Sequence, residues 1–240
     1  MKTYLLEEMT WPEIQAAMKN GCDTVVIYAA SIEQHGPALP EMTDTILGYA
    51  AASDLAKRLG NALAAPLIRP GLSAHHMCFP GSITLRPETS SHGGNFHALE
   101  EIAEQQSEQY PHVRIVCGCS LEELDAALAE VEVLEGLPVG TCGGHACDWE
   151  TSVMMMLNED YVRREKLQRG HVGALTEELL HRFFEDGVMS VSEIGVMGDP
   201  TGADAARGIR YFQYMQDMQE KAVRKHLMEW DEKKCNQHAE

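Results

Sequence analysis

Two periodicities of hydrophobic and polar positions alternate along the 240 residues of the chain. A short apolar run rich in β-branched residues predicts a buried strand at 24–28, and further short apolar runs predict strands at 62–68, 83–85 and 113–117. Apolar positions with helical spacing predict helices at 10–20, 43–59, 95–109, 121–133, 150–157, 172–184 and 204–230. Residues 190–198 are expected to be extended. Because strands and helices alternate, we expect a mostly parallel sheet with helices on both faces, in a single domain over residues 1–240.

The ends of the first two helices carry clear local signals. Thr10 can cap the first helix, Pro12 suits its first turn, and Glu13 completes a capping box with Thr10. The second helix is expected to open at Thr43-Asp44 and to stop at Gly60. These signals predict one helix before and one helix after the strand at 24–28 in the sequence.

The net charge of the chain limits the classes of binding partner that we expect. The chain holds 19 basic and 37 acidic residues, which gives a net charge of −18. Such a surface repels phosphate backbones and anionic lipid, so we expect a small-molecule substrate and neither a nucleic-acid nor a membrane partner. The excess of carboxylates is compatible with metal binding, although solubility alone also explains it.

The cysteine content and the N-terminus indicate the compartment. Seven cysteines are present, and no two are spaced as Cys-x-x-Cys. An odd number without that spacing argues against a disulfide framework and against a zinc ribbon. Acidic residues interrupt the N-terminus before an apolar run develops, so no signal peptide is expected. No apolar stretch approaches the roughly 20 residues that a membrane span needs, and we expect a cytoplasmic protein.

Glu33, His35 and Asp44 form the first group of residues with potential chemistry. Glu33 and His35 are two positions apart, so an extended segment points both side chains to the same side. They follow the strand at 24–28, and open α/β sheets bind ligands at the C-terminal ends of their strands. Asp44 lies at a helix N-terminus, where it either caps the helix or binds a ligand. The two roles are compatible if each takes one oxygen.

Two later segments extend this group. His92 precedes Gly93 and Gly94, which let the backbone approach a ligand closely; a plain helix-initiation turn is the alternative. His145 and Glu150 lead into a helix, where Glu150 alternatively stabilises only the helix dipole. Mixed nitrogen and oxygen ligands of this kind suit Zn²⁺ or Mn²⁺. Five of them around a central carboxylate can hold two metals.

With these residues in place, the chain resembles the creatininase family (creatinine amidohydrolase and its relatives) over most of its length. Each matching motif is short, but the order of the motifs is specific. In chain order they are Ser31-Ile32-Glu33-Gln34-His35-Gly36-Pro37, Leu39-Pro40, Thr43-Asp44, Pro70-Gly71 with Ser73 and His76, Phe79-Pro80-Gly81-Ser82-Ile83-Thr84-Leu85, His92-Gly93-Gly94-Asn95, His145 with Glu150-Thr151-Ser152, and Gly195-Val196-Met197-Gly198-Asp199-Pro200.

The resemblance implies a three-layer α/β/α creatininase-like domain with a site for two divalent metal ions. Zn²⁺ is the first expectation, and Mn²⁺ and Fe²⁺ are alternatives. By motif position, the ligands are Glu33, Asp44 and His92 for one metal, and His35, Asp44 and Glu150 for the other. His145 resembles the family's substrate-side histidine, a candidate proton shuttle, so His145 and Glu150 are the candidate catalytic residues. The family also implies a homo-oligomer, commonly a hexamer.

Two single residues depart from the family pattern. Creatininase proper has a glutamate two residues after the histidine that matches His92, and this chain has Gly94 there. Glu150 then has to supply the carboxylate for the second metal, as in many relatives, which weakens the case for creatinine as substrate. Asp148 stands where the family mostly has a glutamate three residues after the histidine matching His145.

The third departure is a short connection. Only six residues, 86–91, lie between Leu85 and His92, where relatives place a helix and a strand. A parallel crossover needs roughly 10–12 residues including its helix. Two explanations stay open: the natural protein lacks one helix–strand unit between Leu85 and His92, or this chain is missing a segment.

The resemblance implies a hydrolase in which metal-activated water attacks the carbonyl of a small, cyclic, amide-like substrate. The bond cleaved would be a C–N bond other than a peptide bond. Hydrolysis of a C–C bond in a cyclic diketone or keto-polyol is the alternative within enzymes. A non-catalytic family member, disabled by the deletion before His92, is the alternative from another class. Two metals per chain favour an enzyme, and none in a folded protein favours the non-catalytic member.

Overall fold

The computed structural model describes residues 3–85, 94–174 and 176–237. These ranges contain seven α-helices and two β-strands. The helices are α1 (Trp11–Lys19), α2 (Thr43–Leu59), α3 (Gly94–Gln109), α4 (Leu121–Glu135), α5 (Asp148–Asn158), α6 (Glu177–Glu185) and α7 (Ala205–Gln237), and the strands are β1 (Thr24–Val26) and β2 (Ala62–Ala64). None of these helices is long and apolar enough to cross a membrane.

The ends of α1 and α2 follow their local signals. The backbone N–H of Thr10 donates to Oε2 of Glu13 at 2.7 Å, which satisfies a donor that the first turn of a helix leaves unpaired. α2 ends at Gly60, whose φ of 83° is in the left-handed region. Glycine adopts that conformation without the steric cost of a Cβ atom. The predicted start of α1 and the predicted end of α2 are therefore confirmed.

β1 and β2 form a two-stranded parallel sheet. The register pairs Thr24 with Ala62, Val25 with Leu63 and Val26 with Ala64. One face of this sheet packs against α2 and α7 in a buried cluster of Val26, Ala52, Leu55, Ala56, Ala62, Ala64 and Val223. Burial of these apolar side chains stabilises the contact between strand and helix. It also sets the start of α2 relative to the segment that follows β1.

The opposite face of the sheet is open along β1 in the described part of the chain, whereas Leu63 of β2, which pairs with Val25, is buried. Val25 lies in β1 and Ile27 directly follows it, and their exposed fractions are 55% and 58%. Val26, between them, is buried. A parallel sheet is normally covered on both faces, so the expected three-layer arrangement is realised here only in part. The six residues at 86–91 are too few for the helix–strand unit that would extend the sheet.

The predicted strands are shorter in the structure or absent, and the run predicted at 24–28 ends as a strand at Val26. Val113–Cys117 forms no strand, and no strand in the described ranges pairs with it. A strand needs a neighbour that takes up its backbone hydrogen bonds, and an apolar run without one does not form a ladder. Ile83–Leu85 contributes a single bridge, from Ile83 to Ile32. The predicted run at 62–68 is shorter as a strand and ends at Ala64.

Two later predictions also need correction. The helix predicted at 172–184 begins only at Glu177, where Oγ1 of Thr176 accepts a hydrogen bond from the N–H of Leu179 at 3.2 Å. That cap marks the true start, because a threonine at the N-cap competes with continued helix on its N-terminal side. The segment expected to be extended at 190–198 is mostly turns, and Met197 within it forms a bridge to His145.

α5 runs between two apolar clusters. On one side it joins α4 and α7 through Ala127, Leu128, Val131, Cys142, Cys147, Val153, Tyr211 and Met215. On the other side Met154 and Met155 pack with Leu39, Val162 and Ala203. Because α5 is packed on both sides, its first turn is held in a fixed position.

Candidate metal centre

Glu33 and His35 lie in the segment that follows β1, and both are buried, with exposed fractions of 7% and 1%. Nδ1 of His35 lies 3.0 Å from the backbone carbonyl oxygen of Glu33. A carbonyl only accepts, so Nδ1 carries the ring proton and donates it. In the neutral ring Nε2 then has a free lone pair, the arrangement found in metal-binding histidines whose other nitrogen is held by a hydrogen bond.

Asp44 faces His35 from the first turn of α2. Its Oδ1 lies 3.1 Å from Nε2 of His35. The N-cap residue of α2 is Met42, and no side chain caps the helix. Asp44 therefore does not act as the cap, which was one of its two expected roles. Its place at the positive end of the helix dipole favours a negative charge at this point.

Glu150 reaches the same nitrogen from the first turn of α5. Its Oε1 lies 3.8 Å from Nε2 of His35. Its Oε2 accepts a hydrogen bond from the backbone N–H of Ala146, a residue with a φ of 51°. Residues other than glycine rarely adopt a positive φ, and such strain concentrates at functional sites. The chain thus bends at Ala146 in a way that holds the Glu150 carboxylate.

His145 and His76 extend the site to three imidazole rings. The ring centroid of His145 is 4.4 Å from that of His35 and 4.4 Å from that of His76. Nδ1 of His145 lies 3.9 Å from Oε1 of Glu33, and Nε2 of His76 lies 3.4 Å from the same oxygen. No role is predicted for His76 from the sequence. Its only signal there is its position in the motif that begins at Pro70-Gly71.

The negative charges of the carboxylates at this site are only partly balanced by positive charges of the protein. Burial and the nearby charge of Asp44 raise the pKa of Glu33 to about 8. Burial also raises the pKa of Glu150 to about 7, although the charge of His35 opposes the shift. Burial would lower the pKa of His35, but the carboxylates of Asp44 and Glu150 outweigh it and raise that pKa to about 10. The site therefore favours added positive charge.

The other two imidazoles are held neutral. Burial, then the charge of His35, lowers the pKa of His145 well below its ordinary value. Burial, then the neighbouring His75, lowers the pKa of His76 to about 2. A neutral imidazole keeps one unprotonated nitrogen, which can accept a proton or bind a metal.

The donor set fits a divalent cation. In the described ranges, no lysine or arginine nitrogen lies within 4.0 Å of the carboxylates of Glu33, Asp44 or Glu150. Three groups have ligand atoms within 4.8 Å of one another: Glu33, His35 and Asp44; His35, His145 and Glu150; and Glu33, His76 and His145. Buried carboxylates are stable when they are paired or bind a metal. Their combination with imidazole nitrogen suits Zn²⁺ or Mn²⁺.

The structure brings together most of the residues expected at this site. Those that meet are Glu33, His35, Asp44, His145 and Glu150. His92 lies outside the described residues, so its place at the site stays a prediction. Asp148 points elsewhere: its Oδ2 accepts a hydrogen bond from the hydroxyl of Tyr211 at 2.7 Å.

The family is decided by a direct comparison. A family model described as "Creatininase: Creatinine amidohydrolase" matches residues 7–92 and 89–223. The chain belongs to the creatininase family. It is a creatininase-family hydrolase, and its two matched stretches overlap at 89–92, which includes the end of the short connection at 86–91.

Curated relatives of this creatininase-family chain act on different substrates, by their names. A mycofactocin precursor peptide peptidase from Mycolicibacterium smegmatis is 33% identical over 205 residues, 80% of each chain. The protein of the same name from Mycobacterium ulcerans is 31% identical over 240 residues, 87% of this chain and 83% of the relative. A 3-dehydro-scyllo-inosose hydrolase from Thermotoga maritima is 32% identical over 82 residues, 34% of this chain and 26% of that protein.

Solved structures show the same fold. A structure described as "Creatininase Mn" has a TM-score of 0.69 and 19% identity, and the match covers 94% of this chain and 99% of that one. A creatininase variant described as "Zn-Zn type" has a TM-score of 0.69 and 18% identity over 95% and 99%. A putative creatinine amidohydrolase from Bacteroides fragilis has a TM-score of 0.70 and 19% identity over 95% and 98%. The fold is creatininase-like α/β with a parallel sheet, of which the described ranges contain two strands.

Proposed function

We propose that this chain uses two divalent metal ions to hydrolyse an amide C–N bond, and that a peptide bond is the first substrate class. The observation that carries the proposal is the convergence of two carboxylates on Nε2 of His35, with Asp44 at 3.1 Å and Glu150 at 3.8 Å. Relatives named as peptidases, 31–33% identical over at least four fifths of this chain, support a peptide substrate. The small cyclic amide expected from the resemblance is the second candidate, favoured by the creatinine amidohydrolase model.

In this proposal Asp44 would contribute to the binding of both ions. Glu33, Asp44 and His92 would hold one ion, and His35, Asp44 and Glu150 would hold the other. Ions bound there supply Lewis-acid chemistry that polarises a carbonyl and acidifies water. The first turns of α2 and α5 would present Asp44 and Glu150 with the positive ends of two helix dipoles behind them.

His145 would move the proton. Its Nε2 lies 2.7 Å from the backbone carbonyl oxygen of Gln34, so Nε2 carries the ring proton and Nδ1 is bare. Nδ1 faces Glu33 at 3.9 Å. This nitrogen takes the proton of the attacking water and then delivers it to the leaving nitrogen, so that the C–N bond breaks with release of a neutral amine.

Metal stoichiometry tests the metal centre. The purified chain is expected to hold two Zn²⁺ or Mn²⁺ per chain by elemental analysis. Asp44→Asn is expected to lower metal content toward zero and Glu150→Gln toward one, and both are expected to lower kcat/KM about 100-fold or more, since each removes several kcal/mol of stabilisation of the transition state. Asp54→Asn in α2 and Glu159→Gln beyond the end of α5 are matched controls away from the site. A folded wild-type chain without metal would support the non-catalytic alternative.

A substrate panel separates the reaction classes. The metal-loaded protein is assayed on a mycofactocin precursor peptide, on creatinine and on a cyclic diketone, with product detection by mass spectrometry. Release of a peptide fragment with an added water supports the proposal. Opening of the creatinine ring alone favours the second candidate, and cleavage of the diketone alone favours C–C hydrolysis, for which one relative matches 34% of this chain.

A further inference from the structure

The side chain of Gln34 is buried between two residues that are candidate metal ligands, and its amide has one possible orientation. Its Oε1 accepts a hydrogen bond from the backbone N–H of Gly36 at 2.9 Å. A backbone N–H can only donate, so the oxygen of the amide must lie on that side. The amide nitrogen then faces Nδ1 of His76 at 2.8 Å, Nε2 of His145 at 3.1 Å and the carbonyl oxygen of Gly195 at 3.3 Å.

These contacts assign the proton on each ring. Nε2 of His145 is a donor, because it lies 2.7 Å from the backbone carbonyl of Gln34. The amide nitrogen of Gln34 is also a donor, so these two nitrogens do not bond to each other. The two N–H groups of the amide therefore go to Gly195 and to Nδ1 of His76, and Nδ1 of His76 is an acceptor without a proton.

The position of the His76 ring proton determines how His76 contacts Glu33. With Nδ1 of His76 as an acceptor, the ring proton of the neutral His76 lies on Nε2, which is 3.4 Å from Oε1 of Glu33. An N–H aimed at a carboxylate oxygen holds the carboxylate in one orientation. Outer hydrogen bonds of this kind fix the direction of metal ligands in many sites.

We propose that Gln34 is a positioning residue, which fixes the ring proton of His76 on Nε2 so that His76 orients the carboxylate of Glu33. Gln34 and His76 act through Glu33 and touch no reacting atom in this role. The inference rests on the proposed function for the statement that Glu33 binds a metal. The assignment of the protons rests on the hydrogen bonds alone.

The absence of a side chain at Gly195 leaves room for the amide of Gln34. The φ of Gly195 is 73°, and a Cβ atom added there would overlap the side-chain amide of Gln34. The backbone N–H of Gln34 donates to Oγ of Ser82 at 3.0 Å, which fixes the main chain on the other side. Gln34 is thus held from both ends, as a residue with a geometric role requires.

Nitrogen NMR of the full chain, labelled with ¹⁵N-histidine and stripped of metal with EDTA, tests the proton positions directly. Imidazole ¹⁵N shifts and their couplings to the ring protons distinguish the two neutral tautomers. In the wild-type chain both His76 and His145 are expected to carry the proton on Nε2. A proton on Nδ1 of His76, or a mixture of both tautomers, overturns the proposal, and this measurement needs no variant.

Gln34→Met separates the side chain from the backbone. Methionine keeps the length of the side chain and lacks the N–H donor, so His76 is expected to become a mixture of tautomers. His145 is expected to keep its proton on Nε2, because the backbone carbonyl at position 34 remains. Unchanged His76 signals in a folded Gln34→Met protein overturn the proposal.

The metal readout follows from the same variant. Gln34→Met is expected to weaken binding of Zn²⁺ about 10- to 100-fold, the usual effect of losing an outer hydrogen bond to a ligand, and to lower kcat more than it raises KM. Gly195→Ala is expected to give the same His76 signature by displacing the amide. Gly60→Ala is its control, because Gly60 also has a positive φ but no atom within 4 Å of an added Cβ. Absence of metal in the wild-type chain would sink the proposed function and leave the NMR result standing.

Discussion

The hydroxyl of Tyr211 donates a hydrogen bond to Oδ2 of Asp148 at 2.7 Å, and both side chains are 1% exposed. Nε of Arg207 lies 3.2 Å from the same oxygen. Asp148 therefore ties the first turn of α5 to α7, while Glu150 in the same turn meets His35. Asp148, which stands where the family mostly has a glutamate, thus makes a structural contact in this chain.

Tyr211→Phe tests this anchor. A hydrogen bond to a buried charged group contributes about 1.5–3 kcal/mol, so the variant is expected to lose that much free energy of unfolding. Metal content and kcat are expected to stay within twofold of wild type, because the contact lies outside the metal centre. Urea unfolding and elemental analysis provide the measurements. Tyr214→Phe, whose hydroxyl bonds Glu130 at an exposed site, is the control and is expected to change stability less.

A buried carboxylate also holds the loop that leads to His145. Oε1 of Glu132 accepts from the N–H of Cys142 at 2.7 Å, and Oε2 accepts from the N–H of Gly140 at 3.0 Å. Glu132→Gln replaces one acceptor with a donor facing an N–H, so one backbone donor loses its partner. We expect a loss of about 1–3 kcal/mol in stability and a lower kcat, because the loop positions His145. Glu130→Gln in the same helix is the exposed control, and equal effects of the two variants would contradict this account.

The pH dependence of stability follows from the pKa shifts at the site. The pKa values of Glu33 and Glu150 are raised to about 8 and about 7 by burial first, so the stability from their protonated forms is complete below about 4.5 and is lost as the pH rises through 7 to 8. The pKa values of His76 and His145 are lowered by burial, so stability is also lost as the pH falls below about 6.5. Between about pH 4.5 and 6.5 these two effects oppose each other, so the protein stripped of metal is expected to lose stability steadily as the pH rises above about 6.5.

Divalent metal should reverse the alkaline part of this profile. Melting temperatures are measured from pH 6.5 to 8.5 in EDTA and in Zn²⁺. In EDTA the melting temperature is expected to fall across this range, and in Zn²⁺ it is expected to hold or rise, because ionised carboxylates bind the metal. Glu33→Gln is expected to reduce the fall seen in EDTA. Parallel curves with and without metal would argue against binding at these carboxylates.

The sequence predicts the candidate site better than it predicts the sheet. Glu33, His35 and Asp44 lie close in the chain, and the capped helices and the strand around them have local signals that the structure confirms. Residues of this kind are brought together by short-range geometry. Val113–Cys117 has equally clear local β propensity and forms no strand, because pairing depends on a neighbour that the local sequence does not specify.

Gln34 and His76 show the same limit on the chemical side. Their hydrogen bond at 2.8 Å joins residues 42 positions apart. The spacing of residues in the sequence does not show which distant group a histidine or a glutamine will contact. The role of such residues follows only from which atoms the fold places beside them.

The open face of β1 gives a prediction with a neighbouring control. Val25 is exposed and Val26 is buried against α2 and α7, so the same substitution can be made on both faces of one strand. Val26→Thr buries a hydroxyl without a partner and is expected to cost about 1–3 kcal/mol of unfolding free energy. Val25→Thr keeps a β-branched side chain in water and is expected to change it by less than about 0.5 kcal/mol. Denaturant unfolding at several protein concentrations measures both. An equal loss at Val25 that shrinks as the protein is diluted would mean that another copy of the chain covers this face.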